Sequence, residues 1–389
     1  ISSESLPDVD LDSDCARKHE LNGFIATAFP SRTCSIANYG TLQGKNVIKE
    51  VCKLYLGYSE EESKHVSDLI EAKFGKVDSI TKSSLENEDF KKWADKSDKN
   101  TKAVEIACKL QGLIKNFSVH ASGIIITNDP IEDTLPTQLT SSKEDVTSVD
   151  MGISQAFGIK IDNLGLKNLS IVDETLRLVG KRMEDIDVND PTIYQFIELK
   201  DQFYGVFQAE EGLGKQVLKS IKPQNIDDIS ASIALGRPGC MAFVKSYVDF
   251  KLNGDRTLVD KWPLKVRHLV EPTGGILIFQ ESQMKISKEM ANFTPQEADK
   301  LRKCTSKKLT AEMPKWKDKF IKQSVENGFE KEFAEWVWEE SFIPSSNYLF
   351  ALSHAVAYGY LTAITCYLKA NHPLEYFLAM LKNCKNEQN

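Results

Sequence analysis

Hydrophobic positions follow two different periods along this chain, and the places where the period changes predict its main elements. Apolar residues between positions 40 and 57 form one helical stripe, and strongly charged helical sequence continues to about position 113. Two short runs rich in β-branched residues, 123–127 and 155–162, have the pattern of strands. Because the strand pattern returns after the helices, we predict one discontinuous α/β domain with a helical insertion.

The remainder of the chain, from about position 166, has a mostly helical pattern. Two exceptions, 203–208 and 276–280, have the composition of short strands. The segment Thr294-Pro295-Gln296-Glu297 combines a capping box with proline at the first helical position, which predicts the start of a helix. A stretch rich in small residues, 348–370, predicts one long helix.

The composition is that of an ordinary globular protein. The chain has 389 residues, 41% hydrophobic and 27% charged, which is enough for about two to four domains. Its apolar runs are too short for a membrane-spanning helix, and its first residues lack the basic and apolar regions of a signal peptide. The eight cysteines are at least 18 positions apart, which excludes a zinc knuckle and favours free thiols in a reducing compartment.

Charge is distributed unevenly. The net charge of −7 alone argues against nucleic acid as a partner, but residues 1–16 carry five acids and no base, whereas residues 300–322 carry nine bases and two acids. One acidic focus and one basic block suit a protein that holds metal ions and polyanions at different places. The alternative for the basic block is a solvated helix face.

The acidic focus contains a candidate metal site at Asp8, Asp10 and Asp12. On a strand these three carboxylates point to one face, and carboxylate oxygens are ligands that Mg²⁺ prefers. A calcium-binding loop is disfavoured because Ser13 replaces its glycine and His19 its final glutamate. An acidic surface turn remains the plain alternative.

A second motif, Lys160-Ile161-Asp162, places a lysine and an aspartate on one face of a predicted strand. An aspartate from a neighbouring strand would complete a carboxylate set for two metal ions, and the lysine would offset phosphate charge. The alternative is a simple ion pair on an edge strand.

Basic residues in the second half are candidates for phosphate contacts. Arg237 lies between two glycines at a helix end, and Arg302 and Lys303 are followed by Lys307 and Lys308. Such cations can clamp the phosphates of a nucleotide and stabilise phosphoryl transfer.

His354, within Ser353-His-Ala-Val-Ala-Tyr358, lies on a helix of small residues, where packing in the core is the commoner role. The chain has no GxxxxGK[ST] or GxGxxG motif, which disfavours an ATPase or a dehydrogenase.

These motifs belong to a longer series whose order is more specific than any member. The series reads LPDVDLD, NYGTLQGKNVIKEV, HASGIII, IKIDNLGLKNLSIVDE, GVFQAE, ALGRPG, EPTGGILIFQESQMKIS, ADKLRKC with a later KK, and SHAVAY with a later YLKANHP. It resembles the alpha subunit of bacterial DNA polymerase III, the family C replicative polymerases, from about Leu6 to Leu381.

The resemblance implies an α+β, multi-domain fold. Its parts are a nucleotidyltransferase-type palm sheet, a helical thumb inserted into that sheet, and large, mostly helical fingers. We expect the first part of the palm at 1–39, the thumb at 40–117, the second part of the palm at 118–167 and the fingers at 168–389.

The resemblance also assigns site residues. The catalytic carboxylates, which would hold two Mg²⁺ ions, are Asp8, Asp10 and Asp162. Expected nucleotide contacts are Lys160, Arg237, Arg302, Lys303, Tyr348 and His354. Expected DNA contacts are Lys45, Lys115, His120, Lys307 and Lys308. The family more often has Arg-Arg at 302–303, and its motif YGFNKSH reads YLFALSH here, so that Ala351 and Leu352 replace an asparagine and a lysine.

The implied function is that of a template-directed DNA polymerase core, which adds deoxynucleotides to a primer 3′-hydroxyl by two-metal phosphoryl transfer. Its partners would be primer-template DNA and deoxynucleoside triphosphates, with a sliding clamp and other replisome subunits bound through regions that this sequence lacks. It would act in the cytoplasm of a bacterium, encoded by that bacterium or by a phage, with no membrane as a partner.

The start of the sequence leaves a second hypothesis open. The family's triphosphate-binding Gly-Ser segment lies upstream of PDxD, and this sequence begins almost at that motif. The alternative function is therefore a non-catalytic or split DNA-binding fragment that needs an upstream palm segment in trans. A fragment, one half of a split enzyme and a compact phage form all fit this start.

Overall fold

The computed structural model describes residues 8–73, 76–306, 311–346 and 348–384. The chain divides into two compact units, one that ends at Gly165 and one that begins at Leu166. Within the described residues, no helix combines the length and the apolar character needed to cross a bilayer.

The first unit is built on a mixed sheet of six strands. The unit as a whole contains the strands β1 (Asp8–Asp14), β2 (Thr33–Thr41), β3 (Ala72–Lys73), β4 (Lys76–Val77), β5 (Ile114–Thr127), β6 (Thr137–Leu139), β7 (Asp145–Thr147) and β8 (Gly158–Leu166). The large sheet has the order β1-β8-β5-β2-β7-β6, and β3 pairs only with β4. β5 is antiparallel to both β2 and β8, and β2 is parallel to β7. The mixed α/β architecture agrees with the predicted α+β class.

Most helices of the first unit lie between β2 and β5 in the chain. The unit contains α1 (Lys18–Ala28), α2 (Gly44–Tyr55), α3 (Glu60–Asp68), α4 (Ile80–Glu86), α5 (Glu88–Ala94), α6 (Asp98–Leu110), α7 (Ile131–Thr134) and α8 (Met151–Ser154). Of the stripe predicted for α2, Val47, Ile48 and Val51 are buried in a core that also contains Phe90 of α5 and Ala103 of α6, whereas Leu54 is exposed. The predicted helical insertion in a discontinuous sheet is therefore observed.

The second unit is almost entirely helical. Its helices are α9 (Lys167–Val179), α10 (Pro191–Leu199), α11 (Gly212–Ile221), α12 (Ile226–Leu235), α13 (Met241–Asn253), α14 (Thr257–Asp260), α15 (Leu264–Arg267), α16 (Gln280–Ala291), α17 (Pro295–Ser306), α18 (Met313–Glu326), α19 (Lys331–Val337), α20 (Ile343–Ser345), α21 (Leu352–Asn371) and α22 (Pro373–Asn383). A π-helical turn, Trp338–Phe342, joins α19 to α20. α21 packs against α9, α10, α12 and α22, and it is therefore buried on several sides.

The helix start predicted at Thr294 is confirmed. The Glu297 carboxylate accepts from the Thr294 backbone N–H at 2.8 Å, and the Thr294 hydroxyl accepts from the Glu297 N–H at 3.3 Å. This capping box fixes the first turn of α17. The helix is held against an aromatic core in which the Phe320 and Phe342 rings are 5.0 Å apart.

The two strands predicted at 203–208 and 276–280 are wrong. Residues 203–208 form turns that bury Phe203, Val206 and Phe207. The backbone of Phe207 bonds to side chains of α21 instead of a strand. Its N–H donates to Thr365 Oγ1 at 3.2 Å, and its carbonyl accepts from Thr362 Oγ1 at 3.1 Å. At 276–280 the strand pairing is a single bridge from Phe279 to Phe350, and α16 begins at Gln280. The long helix predicted from 348 begins at Leu352.

Candidate functional sites

The predicted carboxylates come from two neighbouring strands, β1 and β8. The Ser13 hydroxyl of β1 donates to Asn163 Oδ1 of β8 at 2.6 Å, so these two side chains share one face of the sheet. Because side chains alternate along a strand, Asp10 and Asp162 lie on the opposite face. Asp8 opens β1, and its side chain lies outside the described part of the structure.

Asp162 is held by two partners on its own face of the sheet. Lys160 Nζ lies 2.6 Å from Asp162 Oδ2, and the Ser122 hydroxyl donates to Asp162 Oδ1 at 3.2 Å. The Lys160 side chain is 5% exposed and that of Asp162 is 15% exposed. The ion pair of the alternative interpretation is therefore present, but β8 lies inside the sheet between β1 and β5 and is not an edge strand.

The donor chemistry of this face fits Mg²⁺. Asp10 and Asp162 provide carboxylate oxygens, the ligands that this ion takes in proteins, and Asp10 is exposed to solvent. Among the described side chains, no three histidine, cysteine, aspartate or glutamate groups lie close enough to hold an ion. That set does not include Asp8, the third expected ligand.

His120 and Ser122 form part of the surroundings of Asp162. His120 Nδ1 accepts from the backbone N–H groups of Ser122 (3.3 Å) and Gly123 (2.9 Å), so its ring folds onto its own strand. The sequence predicted His120 as a DNA contact, and no role was predicted for Ser122. The available signal was the tetrapeptide HASG, a histidine followed by a hydroxyl residue and a glycine inside a strand.

The other predicted DNA contacts of the first unit lie at the helical insertion and the strand that follows it. Lys45 Nζ of α2 is 3.9 Å from Asp68, and Lys115 Nζ, near the start of β5, is 2.8 Å from Glu50. The hydrogen bond from Lys115 lowers the pKa of Glu50 below its ordinary value. Lys307 and Lys308 lie outside the described residues.

Arg237 of the second unit binds two backbone carbonyls and one ring. Its Nε donates to the Ala234 carbonyl at 3.0 Å, and its Nη2 donates to the Tyr348 carbonyl. The guanidinium carbon lies 4.5 Å from the centre of the Phe350 ring. Arg237 therefore connects the end of α12 to the segment that precedes α21.

A cavity of about 200 Å³ lies beside Arg237. Its wall is formed by Phe207, Gln208, Ala209, Gly214, Leu218, Ser232, Ile233, Gly236, Arg237, Phe350, His354, Tyr358 and Thr362. The His354 ring centre is 3.9 Å from that of Tyr358 and 5.3 Å from that of Phe350. The cavity thus presents a continuous aromatic wall and one guanidinium.

Tyr348 contacts this region through its backbone. Its ring is 5% exposed and packs 4.5 Å from the Phe243 ring, and burial raises the pKa of its hydroxyl. Only its carbonyl meets Arg237. A role of the Tyr348 ring toward a nucleotide stays a prediction.

Arg302 and Lys303 of α17 converge on one carboxylate. Asp299 Oδ1 accepts from Arg302 Nη2 at 2.8 Å, and Asp299 Oδ2 lies 2.9 Å from Lys303 Nζ. Burial raises the pKa of Asp299, but the hydrogen bonds from Lys303 and Arg302 outweigh it and hold the pKa below its ordinary value. The two bases are therefore preorganised as a pair by one anionic group.

Gln280 and Glu281, at the start of α16, connect Arg302 to α21. Gln280 Oε1 accepts from Arg302 Nη1 at 3.1 Å, and the Gln280 backbone N–H donates to the Phe350 carbonyl at 2.9 Å. Glu281 Oε2 accepts from the Leu352 N–H at 2.8 Å. Sequence reasoning missed both residues, because their role is visible only once α16 and α21 are packed.

The structure thus brings the predicted residues together in groups. Asp10, Lys160 and Asp162 share one face of the sheet in the first unit. In the second unit, Arg237 and His354 line one cavity, and Arg302 and Lys303 share Asp299. Lys45 and Lys115 each pair with an acidic residue of the helical insertion.

Comparison with known proteins gives consistent matches along the chain. The family described as bacterial DNA polymerase III alpha NTPase domain matches residues 2–165, and the bacterial DNA polymerase III alpha subunit finger domain matches residues 168–328. The DNA polymerase III subunit alpha of Thermus aquaticus is 30% identical over 390 residues, which cover 97% of this chain and 32% of that protein. The Aquifex aeolicus subunit is 30% identical over 98% of this chain and 35% of its own length.

The Deinococcus radiodurans subunit is 31% identical over 97% of this chain and 29% of its own length. The chain therefore spans about a third of the length of the curated relatives it matches. The two domain matches adjoin each other and describe the same subunit. Together with the alignments along nearly the whole chain, they show that this protein belongs to the family of bacterial DNA polymerase III alpha subunits.

Proposed function

We propose that this chain forms the catalytic core of a template-directed DNA polymerase, which joins deoxynucleotides to a primer 3′-hydroxyl. The observation that carries the proposal is the shared sheet face of Asp10, Lys160 and Asp162, in a chain of this family. In this proposal residues 1–39 and 118–167 are the palm, 40–117 the thumb and 168–389 the fingers.

The first unit would hold the metal ions. Asp8, Asp10 and Asp162 would be the ligands of two Mg²⁺ ions, which when bound supply positive charge for in-line phosphoryl transfer. Ser122 and Lys160 restrict the orientation of the Asp162 carboxylate. The buried Lys160 ammonium compensates the charge of Asp162 and offers a cation to a triphosphate.

The second unit would bind the nucleotide. Asp299 holds Arg302 and Lys303 side by side, so that two cations face the phosphates at little further cost in side-chain entropy. Arg237 and His354 would contact the nucleotide from the aromatic cavity, where flat rings favour stacking. The departures from the family motif at Ala351 and Leu352 remove two polar side chains from this region.

DNA would bind mainly through its phosphates. The basic block at 300–322 provides nine cations, and the proposed contacts outside it are Lys45 and Lys115. Primer-template DNA and deoxynucleoside triphosphates are the proposed partners, and a sliding clamp and other replisome subunits are further proposed partners. Neutralisation of phosphates would make the affinity depend on salt.

Primer extension by the purified chain tests this function. We expect extension with Mg²⁺, loss of extension in Asp162→Asn, and unchanged extension in the control Asp133→Asn, an exposed carboxylate of α7. Extension by Asp162→Asn at the rate of the parent would refute the carboxylate assignment. A chain that binds primer-template but extends it only with an upstream palm segment supports the alternative of a split polymerase.

A further inference from the structure

β5 contains a large bulge next to the carboxylate face. In its pairing with β2, Ser35 is opposite Ile124, and Ala37 is opposite Val119. One residue of β2, Ile36, therefore faces four residues of β5, at positions 120–123. A bulge re-aims the side chains of the strand that contains it.

Side chains from two elements fix this bulge. Within the strand, His120 Nδ1 accepts hydrogen bonds from the N–H groups of Ser122 and Gly123, two residues that are not paired with β2. From α1, Lys18 Nζ donates to the carbonyl of Ala121. Three polar backbone groups of the bulge, the N–H groups of Ser122 and Gly123 and the carbonyl of Ala121, therefore have side-chain partners.

Gly123 is the residue that lets the bulge close. A Cβ atom at this position would lie 2.9 Å from His120 Nδ1 and 3.2 Å from Ile36 Cδ1. A larger residue would therefore displace the His120 ring from its two N–H donors. Gly123 also pairs directly with Asp162 across the β5–β8 ladder.

Within this bulge, Ser122 is 8% exposed and its hydroxyl donates to Asp162 Oδ1. Lys160 holds the other oxygen, Oδ2, so both oxygens of the carboxylate are fixed. We propose that Ser122 is a positioning residue for Asp162, and that His120 acts through the bulge to present the Ser122 hydroxyl. This inference rests on the proposed metal-binding role of Asp162.

The proposal gives His120 a role different from a phosphate contact. A ring nitrogen that accepts two backbone N–H groups serves the chain's own fold, and its removal leaves two donors at the bulge without their acceptor. The expected consequence is a less ordered Ser122 and a less ordered Asp162 carboxylate. Partners that orient a metal ligand typically contribute about 10- to 100-fold to metal affinity.

Binding of Mn²⁺, followed by electron paramagnetic resonance of the free ion, tests the proposal without any measurement of polymerase activity. We expect Ser122→Ala to weaken Mn²⁺ binding by about 10-fold. The matched control is Ser118→Ala, on the same strand, whose hydroxyl contacts Asn38. The control should bind Mn²⁺ as the parent does.

Two substitutions of His120 separate the bulge from DNA contact. Asparagine places an oxygen acceptor near the position of Nδ1, whereas alanine removes the acceptor. We expect His120→Ala to weaken Mn²⁺ binding like Ser122→Ala, and His120→Asn to restore it. Thermal unfolding of each variant shows whether the chain is folded, and Ser122→Ala retains the test if His120→Ala does not fold.

Asp162→Asn distinguishes the proposed metal site from the proposed positioning role of Ser122. If Asp162→Asn weakens Mn²⁺ binding and Ser122→Ala does not, the positioning role is wrong and the metal site stands. If Asp162→Asn binds Mn²⁺ as the parent does, the proposed metal site is wrong, and the positioning role fails with it. Equal loss of DNA affinity in His120→Ala and His120→Asn, with unchanged Mn²⁺ binding, would make His120 a phosphate contact.

Discussion

The carboxylate of Glu281 accepts a hydrogen bond from the backbone N–H of Leu352, the first residue of α21, at 2.8 Å. The residue in the N-cap position, Ala351, has no side chain that can accept this bond. A carboxylate from another helix therefore caps α21 and also meets the positive end of its dipole. Since α21 carries His354, the cap sets the start of the helix that lines the cavity.

Glu281→Ala should destabilise the second unit. A charge-assisted hydrogen bond of this kind contributes about 1.5–3 kcal/mol, so we expect the midpoint of thermal unfolding to fall by several degrees. Calorimetry measures the shift. Glu289→Ala, an exposed position of the same helix, is the control, and equal midpoints for the two variants would contradict the cap.

Arg302→Ala should reduce nucleotide incorporation by roughly 30- to 1000-fold, because loss of a charged contact to a developing transition state costs about 2–4 kcal/mol. Single-turnover incorporation against nucleotide concentration separates the effect on affinity from that on rate. Lys331→Ala, an exposed base of α19, should leave both unchanged. Weaker DNA binding with unchanged incorporation kinetics would assign Arg302 to the DNA instead.

The affinity for primer-template should fall steeply with salt. Each phosphate neutralised adds about −0.9 to the slope of log K against log salt. Lys315 and Lys322 lie two turns apart on one face of α18, and the double variant with glutamine at both positions should make the slope shallower by about 2. Fluorescence anisotropy at several salt concentrations measures it, with Lys331→Gln of α19 as the control. An unchanged slope would exclude this face as a DNA contact.

Acid should weaken the ion pairs that join α2 to α3. Glu60 accepts hydrogen bonds from Lys49 and from Lys53, which lower its pKa to about 2. A lowered folded-state pKa stabilises the folded state above the ordinary value of 4.5, and this stabilisation is lost as the pH falls toward 2.

The difference in unfolding midpoint between the parent and Glu60→Gln should therefore be present at pH 6 and shrink below pH 4.5. Thermal unfolding at a series of pH values measures it. Glu61→Gln, an exposed neighbour on α3, controls for the general loss of one carboxylate. A difference that does not vary with pH would mean that the ion pair contributes nothing to stability.

Local sequence patterns were sufficient to predict the elements whose formation depends mainly on neighbouring residues. The alternation around Asp10 and Asp162 predicted two strands with carboxylates on one face, and the Thr294 capping box predicted the start of α17. The pattern at 203–208 misled, because apolar and aromatic residues in a buried turn look like a short strand. There the hydroxyl groups of Thr362 and Thr365 take the place of a neighbouring strand.

Contacts between distant positions could not be predicted in this way. No local signal indicates that Arg237 binds the Tyr348 carbonyl, or that Gln280 accepts from Arg302. The same holds for Ser122, whose direction depends on a bulge formed by pairing with two other strands. Charged residues that are candidates for a site can be identified from a sequence, but their hydrogen-bond partners depend on the packed fold.

Two backbone hydrogen bonds join the two ends of the helical insertion. The Leu42 N–H donates to the Leu113 carbonyl at 2.9 Å, and the Gly112 N–H donates to the Leu42 carbonyl at 2.9 Å. The insertion also has its own hydrophobic core. Natural variation can therefore lengthen, shorten or exchange these helices while β2 and β5 keep their register. In physical terms the insertion is closed at its base, and its helices pack in a hydrophobic core separate from that of the sheet.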